Sequence, residues 1–402
     1  MSQYQEHRRL LLVGVVLVAL NLRGPVAAVS PVLSEVGAAL GLSTQAAGLL
    51  TALPVLCFAA AAPLVGALAR RTGAEVAVLL GLAGIAVATV LRSAAGPVLL
   101  FAATVLLGVG ITVGNVLIPV IIKQRFADRV GTVTGVYIAA LIGGAATTAA
   151  VTAPLAGAVG WRAGLGLWAL LTVAAAGTWA VVVRARAAPP ASTAGTLEPA
   201  GWPGSVWRQP TAWAVAGFFA AQSTVYFTMT AWLPTLLVQD AGVDRRAAGA
   251  GLSTYQLVGI AGTLLVPSLA ARLRRQRGLA VGVAALSALP LVGLLAAPTA
   301  WPLWTGLGGL AQGAGISLAT TLIVLRTRAA SATRRLSAMA QAVAYGVAAA
   351  GPVLVGAIYG STRSWTLPLL VLLGVAALMG AAGVMAGRQV TIDPEPVAAA
   401  GG

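Results

Sequence analysis

Long apolar runs, broken by short basic clusters, make up almost the whole chain. Twelve of these runs read as helices that cross a bilayer, since roughly 20 apolar residues at about 1.5 Å rise span the hydrocarbon. They fall near 10–34, 46–69, 75–92, 97–122, 130–157 and 162–183, then near 210–238, 246–271, 278–296, 300–325, 335–359 and 365–387. One long interruption, Arg184 to Gln209, separates the two sets. It is rich in Pro, Ala, Ser, Thr and Gly, includes Pro189-Pro190, and reads as a linker. The predicted organisation is a six-helix bundle over 1–183, a cytoplasmic linker over 184–209, a second six-helix bundle over 210–387 and a cytoplasmic tail over 388–402.

Composition supports an all-α integral membrane protein. Of 402 residues, 59 % are hydrophobic and 8 % charged, where a soluble domain carries about 25 % charged residues. The 49 glycines suit helices that pack closely in lipid. A net charge of +16 would suit nucleic acid if it were spread over a soluble surface. Here the cations lie between apolar runs, as membrane topology requires, so no nucleic-acid partner is expected. With the N-terminus inside, 19 of the 25 Lys and Arg fall in inner segments and five (Arg92, Arg162, Arg245, Arg246 and Arg363) in outer ones. Both termini are therefore expected in the cytoplasm. The use of 24 Arg against a single Lys fits the cytoplasmic membrane of a bacterium. Arg8-Arg9 and the apolar stretch behind them imitate a signal peptide, but the stretch continues towards Leu33 and reads as an uncleaved first helix. The one cysteine, Cys57, forms no intramolecular disulfide and is expected buried.

Arg23 completes the 25 cations, and it sits about 20 Å into the first span. A central arginine costs about 2.5–3.5 kcal/mol to insert, so such a residue faces a protein interior or a water-filled cavity. Two roles fit: a packing group bonded to neighbouring carbonyls, or an anion-binding group in a transport path. The halves of the chain also repeat one another. Ala46-Ala47-Gly48 after Pro31 matches Ala247-Ala248-Gly249 after Pro234, and Gly110-Ile111 followed by Lys123-Gln124-Arg125 matches Gly315-Ile316 followed by Arg328. Two parallel repeats related by an axis along the membrane normal resemble the architecture of the major facilitator superfamily.

Local motifs narrow the resemblance. Ala19-Leu20-Asn21-Leu22-Arg23-Gly24-Pro25 is similar to the first helix of the cyanate/nitroimidazole permease family. So are Gly114-Asn115-Val116-Leu117-Ile118-Pro119 with Lys123 and Phe126, then Gly131, Thr134-Gly135 and Tyr137. Further matches are Gln222-Ser223, Tyr226, Trp232-Leu233-Pro234, Leu325-Arg326-Thr327-Arg328, Ser337 and Met339-Ala340-Gln341. The resemblance implies a secondary transporter working by alternating access and a functional monomer. The solute is small and anionic or polar, cyanate-like or a small organic anion, alone or with a co-transported proton. The family's other branch implies export of neutral nitroaromatics. Facilitators commonly carry Gly-x-x-x-Asp-Arg-x-Gly-Arg-Arg between helices two and three. Here Gly66-Ala67-Leu68-Ala69-Arg70-Arg71-Thr72-Gly73-Ala74-Glu75 places Arg70 at the acidic position, and Glu75 reads as a solvated loop charge.

The resemblance also implies that helices one, four, seven and ten line the central cavity. Substrate-binding candidates are then Asn21 and Arg23, Asn115, Gln222 and Tyr226, and Gln312, joined by Gln341 and Tyr345 on helix eleven. Gln222 and Tyr226 are one turn apart, hence on one face, and Gln341 with Tyr345 repeats the spacing. Amides and phenols donate and accept; a guanidinium pairs with an oxyanion or carboxylate. The alternative for each amide is a bond to a neighbouring helix, and for the tyrosines ordinary packing. Gly108, Gly110 and Gly114 read as packing positions, and Pro25, Pro54, Pro119 and Pro352 as kinks. None of the nine acids is mid-span, so rim groups are the gating and coupling candidates: Glu35 and Asp240, with Lys123, Arg70 and Arg71 at the inner face. The sole histidine, His7, lies in the tail. With one histidine, one cysteine and no buried acid pair, the sequence calls for no enzyme, no metal and no cofactor. The Gly-x-x-x-x-Gly-Lys-Ser/Thr loop of a primary pump is absent from the sequence.

Overall fold

The computed structural model describes residues 2–94, 96–184, 206–273, 276–327 and 330–392, with no strand among them. Most of the expected linker, the end of the tail, Arg328, Glu198, Asp393, Glu395 and the side chain of His7 lie outside the described residues. In the first half of the chain the α-helices are α1 (Ser2–Ala27), α2 (Leu33–Leu40), α3 (Thr44–Ala60), α4 (Ala62–Thr72), α5 (Ala74–Ala94), α6 (Pro97–Arg125), α7 (Val130–Gly166) and α8 (Trp168–Arg184). The second half holds α9 (Pro210–Asp240), α10 (Arg245–Arg272), α11 (Arg277–Ala296), α12 (Trp301–Leu325), α13 (Ala330–Ala348), α14 (Ala350–Thr362) and α15 (Thr366–Ala386).

Among the described residues, nine stretches are long and apolar enough to cross a membrane, or ten when the bent pair α3 and α4 counts as one. Val130–Arg184 is a single stretch of 55 residues in that reckoning, and it is broken at Gly160, whose φ of 81° favours a residue without Cβ. Helix α9 is 31 residues long but does not pass as apolar, because it carries Gln222, Ser223, Thr224, Thr228 and Thr230 inside the protein. Pro25, Pro54 and Pro119 lie inside α1, α3 and α6, where each removes a ladder hydrogen bond.

The helices share one apolar core at one end of the molecule and split into two at the other. At the end carrying α2, the short helix Ser30–Val32 and the start of α10, residues of both halves interleave: Val32, Leu33, Leu50 and Ala149 with Tyr226, Trp232, Leu236, Leu252 and Trp365. The end rich in Arg and Lys has one core within the first half, around Val18, Ile111, Ile118 and Trp179. A separate core within the second half surrounds Phe218, Phe219, Leu318 and Leu336.

Glycine makes the shared end possible. A Cβ on Gly48 would stand 2.3 Å from the Pro352 carbonyl oxygen, and one on Gly249 2.5 Å from that of Ala149. These two glycines are the repeat-related pair of the sequence, and each brings helices of opposite halves into backbone contact. Gly108, Gly110 and Gly114 pack against Pro54 and Cys57, Gly81 and Leu22 respectively. Cys57 itself is buried.

Two polar features differ from the sequence reading. Glu75 is not a solvated loop charge: it is 4 % exposed in the first turn of α5. Its Oε1 accepts from Arg125 Nε at 3.1 Å and Nη2 at 2.8 Å, because α5 and α6 pack side by side and a buried carboxylate needs a partner. The second half repeats this arrangement with a neutral acceptor, Arg326 Nη2 donating to Gln276 Oε1 at 2.8 Å while its Nε donates to Ala386 O at 2.7 Å. Arg92 is the other correction. Read as an outer-loop cation, it is 3 % exposed and its Nη2 donates to Pro25 O at 3.2 Å. The end of α1 leaves carbonyls without amide partners, and a cation there is favoured by the helix dipole.

Candidate functional site

Arg23 lies on the boundary between the shared core and the two separate ones. Its neighbour Leu22 belongs to the core of the first half, while Ala28 and Val29, one turn further on, belong to the shared core. The half-buried side chain crosses to the second half, where Nη1 donates to Tyr226 Oη at 2.9 Å. The guanidinium carbon also stands 5.2 Å from the centre of the Tyr226 ring, within range of a cation–π contact. Tyr137 and Tyr345 are close enough to interact electrostatically with the same charge. No described carboxylate forms an ion pair with Arg23. The cation therefore faces phenols, which solvate it without cancelling it.

An aromatic wall extends from this point. Tyr345 meets Phe58, Phe219 and Phe227 edge to face at 5.9, 5.9 and 6.2 Å. Tyr226 meets Phe227 at 4.9 Å and stacks on Tyr255 at 6.4 Å. Tyr226 Oη further donates to Gln256 Oε1 on α10 at 3.4 Å, so a chain of polar groups joins α1, α9 and α10.

The expected site residues divide into three groups. Arg23, Tyr226 and Tyr345 come together as just described. Asn115 on α6 is half-buried and has no side-chain hydrogen bond within the described residues. The other amides are engaged elsewhere. Asn21, 2 % exposed, donates to Leu17 O at 2.8 Å and accepts from Thr172 Oγ1 at 2.6 Å, which ties α1 to α8. Gln222 Nε2 donates to the Gln312 carbonyl at 3.3 Å, and a Cβ on Gly259 would come within 2.5 Å of Gln312 Nε2. Both amides line a cavity of about 20 Å³ inside the second half, beside Tyr255, Ser287 and Thr305. Gln341 is exposed and donates to Ser337 Oγ at 2.8 Å.

The rim candidates take up opposite ends. Glu35 forms an ion pair with Arg245, linking α2 of the first half to α10 of the second at the shared-core end. Asp240 is exposed at the same end, and partial burial holds its carboxyl above the usual range. Lys123, Arg70 and Arg71 are exposed in the last turns of α6 and α4, at the basic end. There Arg8 pairs with Asp128, whose carboxyl is held below the usual range by that hydrogen bond. Sequence reasoning missed the pairing of Arg125 with Glu75, which was legible as a repeat, since Arg326 and Gln276 stand 50 residues apart in the same way. Tyr255-Gln256 on the eighth expected span was legible as a phenol and an amide in an apolar run, and the structure brings both to Tyr226.

Known proteins resemble this chain in sequence and in fold. The Major Facilitator Superfamily profile matches residues 11–325. The 2-nitroimidazole transporter of Escherichia coli (strain K12) is 36 % identical over 96 % of this chain and 97 % of its own length. The transporter YycB of Bacillus subtilis (strain 168) is 37 % identical over 94 % of both, and the cyanate transport protein CynX of E. coli (strain K12) is 30 % identical over 85 % and 88 %. In fold, the chain resembles the nucleoside transporter NupG, with a TM-score of 0.79 over 94 % of this chain and all of that one at 12 % identity. A multi-pass helical protein with a lone cation where its two halves meet, matched end to end by such relatives, belongs to the Major Facilitator Superfamily and is similar within it to the nitroimidazole and cyanate transporters.

Proposed function

We propose that this protein moves a small anionic or polar solute across a bacterial cytoplasmic membrane by alternating access, with Arg23 as the substrate's counter-charge. One observation carries the reading: Arg23 bridges the two halves through Tyr226 without a carboxylate to neutralise it. A free cation of this kind pairs with an oxyanion, and its charge-assisted bonds are stronger than those between neutral groups. The site comprises Arg23, Tyr226, Tyr345 and Asn115. Asn21, Gln222 and Gln312 hold helices together around it, and Gln341 stands one turn from Tyr345 towards the basic end.

The positive-inside rule assigns the basic end to the cytoplasm. Both termini then lie inside, the shared core closes the outer side, and the split cores leave Arg23 reachable from within. Twelve crossings follow when Val130–Arg184 counts as two, the bent pair α3 and α4 as one, and α9 as one despite its polar middle. The units are 1–183 and 210–387, acting as a monomer in the bilayer. Transport is then a rocking of the two units about Arg23, which opens the outer seam at Gly48 and Gly249. Anion uptake against an inside-negative potential costs about 2.3 kcal/mol per 100 mV, so concentrative uptake needs coupling, by symport of a proton or by exchange, whereas export runs downhill. Glu35 and Asp240 are the outer groups able to carry that proton.

The aromatic wall around Tyr345, together with a relative named for 2-nitroimidazole, favours a second reading. In it, a neutral nitroaromatic compound is exported, its nitro group resting on Arg23. Thermal stabilisation of the purified protein by cyanate, small carboxylates and nitroimidazoles separates the two. Stabilisation by anions that vanishes in Arg23→Gln supports the anion carrier. Stabilisation by neutral aromatics alone, unchanged in that variant, overturns it.

A further inference from the structure

Gln256, in the middle of α10, is 1 % exposed, and its Nε2 group has no hydrogen-bond partner. The orientation of the amide follows from its neighbours. Tyr226 Oη accepts from Arg23 Nη1 at 2.9 Å, so the phenol directs its own proton elsewhere. Gln256 lies 3.4 Å away, and only the oxygen of an amide accepts that proton. The NH₂ group is left with two donor hydrogens, out of reach of bulk water. Gln222 shows what a packing amide does in the same bundle: it donates across to the backbone of α12. Gln256 makes no such bond, and a buried donor without an acceptor is a disfavoured state.

Its position gives the orphan a purpose. Arg23 and Gln256 both reach the same phenol oxygen, one with a guanidinium nitrogen and the other with its amide oxygen, so the two side chains converge at the meeting point of α1, α9 and α10. We propose that Gln256 is a specificity-determining residue, whose free NH₂ reads a second acceptor on the substrate next to the group that Arg23 holds. Resting on the reading of Arg23 as the substrate's counter-charge, this narrows the substrates to compounds with two neighbouring acceptors, such as an oxygen pair beside a ring nitrogen. Solutes with a lone anionic group leave the amide unmet and bind less well. The site rejects them for the reason that any pocket built around a hydrogen bond rejects the analogue lacking it.

Two matched ligand pairs test this on the purified full-length protein: picolinate against benzoate, and 2-nitropyridine against nitrobenzene. Within each pair the shape is kept and only the ring nitrogen changes. Affinities are read from ligand-dependent thermal stabilisation. The wild type is expected to bind the nitrogen-bearing member about tenfold more tightly. Gln256→Met keeps the length of the side chain without its donors, and is expected to bind both members alike. The ratio within each variant is its own control for folding, and the wild-type ratio stands without any variant. Equal binding by the wild type, a preference that survives in Gln256→Met, or binding of cyanate and none of the four overturns the inference. Arg23→Gln separates the two layers. If it weakens benzoate and picolinate together while their ratio is one, the counter-charge stands and the role of Gln256 falls. Ligand affinities left unchanged by Arg23→Gln remove the counter-charge itself.

Discussion

The two ends of this molecule are built from the same helices and hold together differently. At the end with α2, backbone meets backbone across the halves at Gly48 and Gly249, and a large apolar core runs through both, with a smaller one formed by Ala52, Val55, Ala348 and Ala349. At the basic end each half keeps its own core, and the polar contacts stay within a half: Arg125 with Glu75 in one, Arg326 with Gln276 in the other. One end is a joint and the other is two finished surfaces. A seam that parts repeatedly, as the proposed rocking requires, is best made of contacts that depend on shape, while surfaces that stand alone need internal ties. Arg23 lies where one regime gives way to the other, which is where a solute would feel both.

The sharpest way to break this comparison is to remove the group at its boundary. Arg23→Gln is expected to leave the protein folded in the membrane and to lower specific transport by about two orders of magnitude. Transport assays on vesicles with matched protein content check this, and wild-type rates in the variant would end the central role of Arg23. Next in size is the seam. Gly48→Leu drives side-chain atoms into the Pro352 backbone, an overpacking that costs about 1–3 kcal/mol. The shared-core end then stays open. A cysteine pair made by Glu35→Cys with Arg245→Cys, joined otherwise by a bifunctional thiol reagent long enough to replace the two side chains, loses most of its cross-linking.

The basic end gives smaller effects. Glu75→Gln removes the charge from a buried pair whose arginine is one-third exposed, at 32 %, so the loss is expected at about 1–2 kcal/mol. It makes the first half resemble the second, and thermal melts show whether the two halves then unfold more alike. The smallest effect is that of Asp240. Partial burial raises its folded-state pKa, so the native carboxyl holds its proton more tightly than the unfolded one. The stability this adds at acid pH is lost as pH rises through the raised folded value. Asp240→Asn is expected to melt higher than the wild type only above that window, and by no more than about 2 °C.

Much of this was legible in the chain. The helical runs, the pairing of Gly48 with Gly249, the packing glycines and the exceptional position of Arg23 all follow from hydropathy and spacing. Sequence alone left open which way each polar side chain turns. Asn21 and Arg23 are two residues apart, so they sit on different helix faces, and one is occupied by Thr172 while the other crosses to Tyr226. Glu75 looked solvated because it follows a glycine in a basic loop, yet α5 begins there and tucks it against α6. Arg92 looked like a loop charge because it ends an apolar run, and the carbonyl to which it donates lies 67 residues away. Each of these outcomes depends on which helix happens to be adjacent, and no local pattern carries that.

In the proposed orientation the glycine seam faces the medium outside the cell. Peptide groups laid against one another carry no net charge, so dissolved ions have little to screen between them. Among the described residues, only Glu35 with Arg245 offers an ionic contact across that face, on a surface where such pairs contribute little. On the proposed mechanism, the resting balance between open and shut therefore hardly moves between dilute and brackish surroundings.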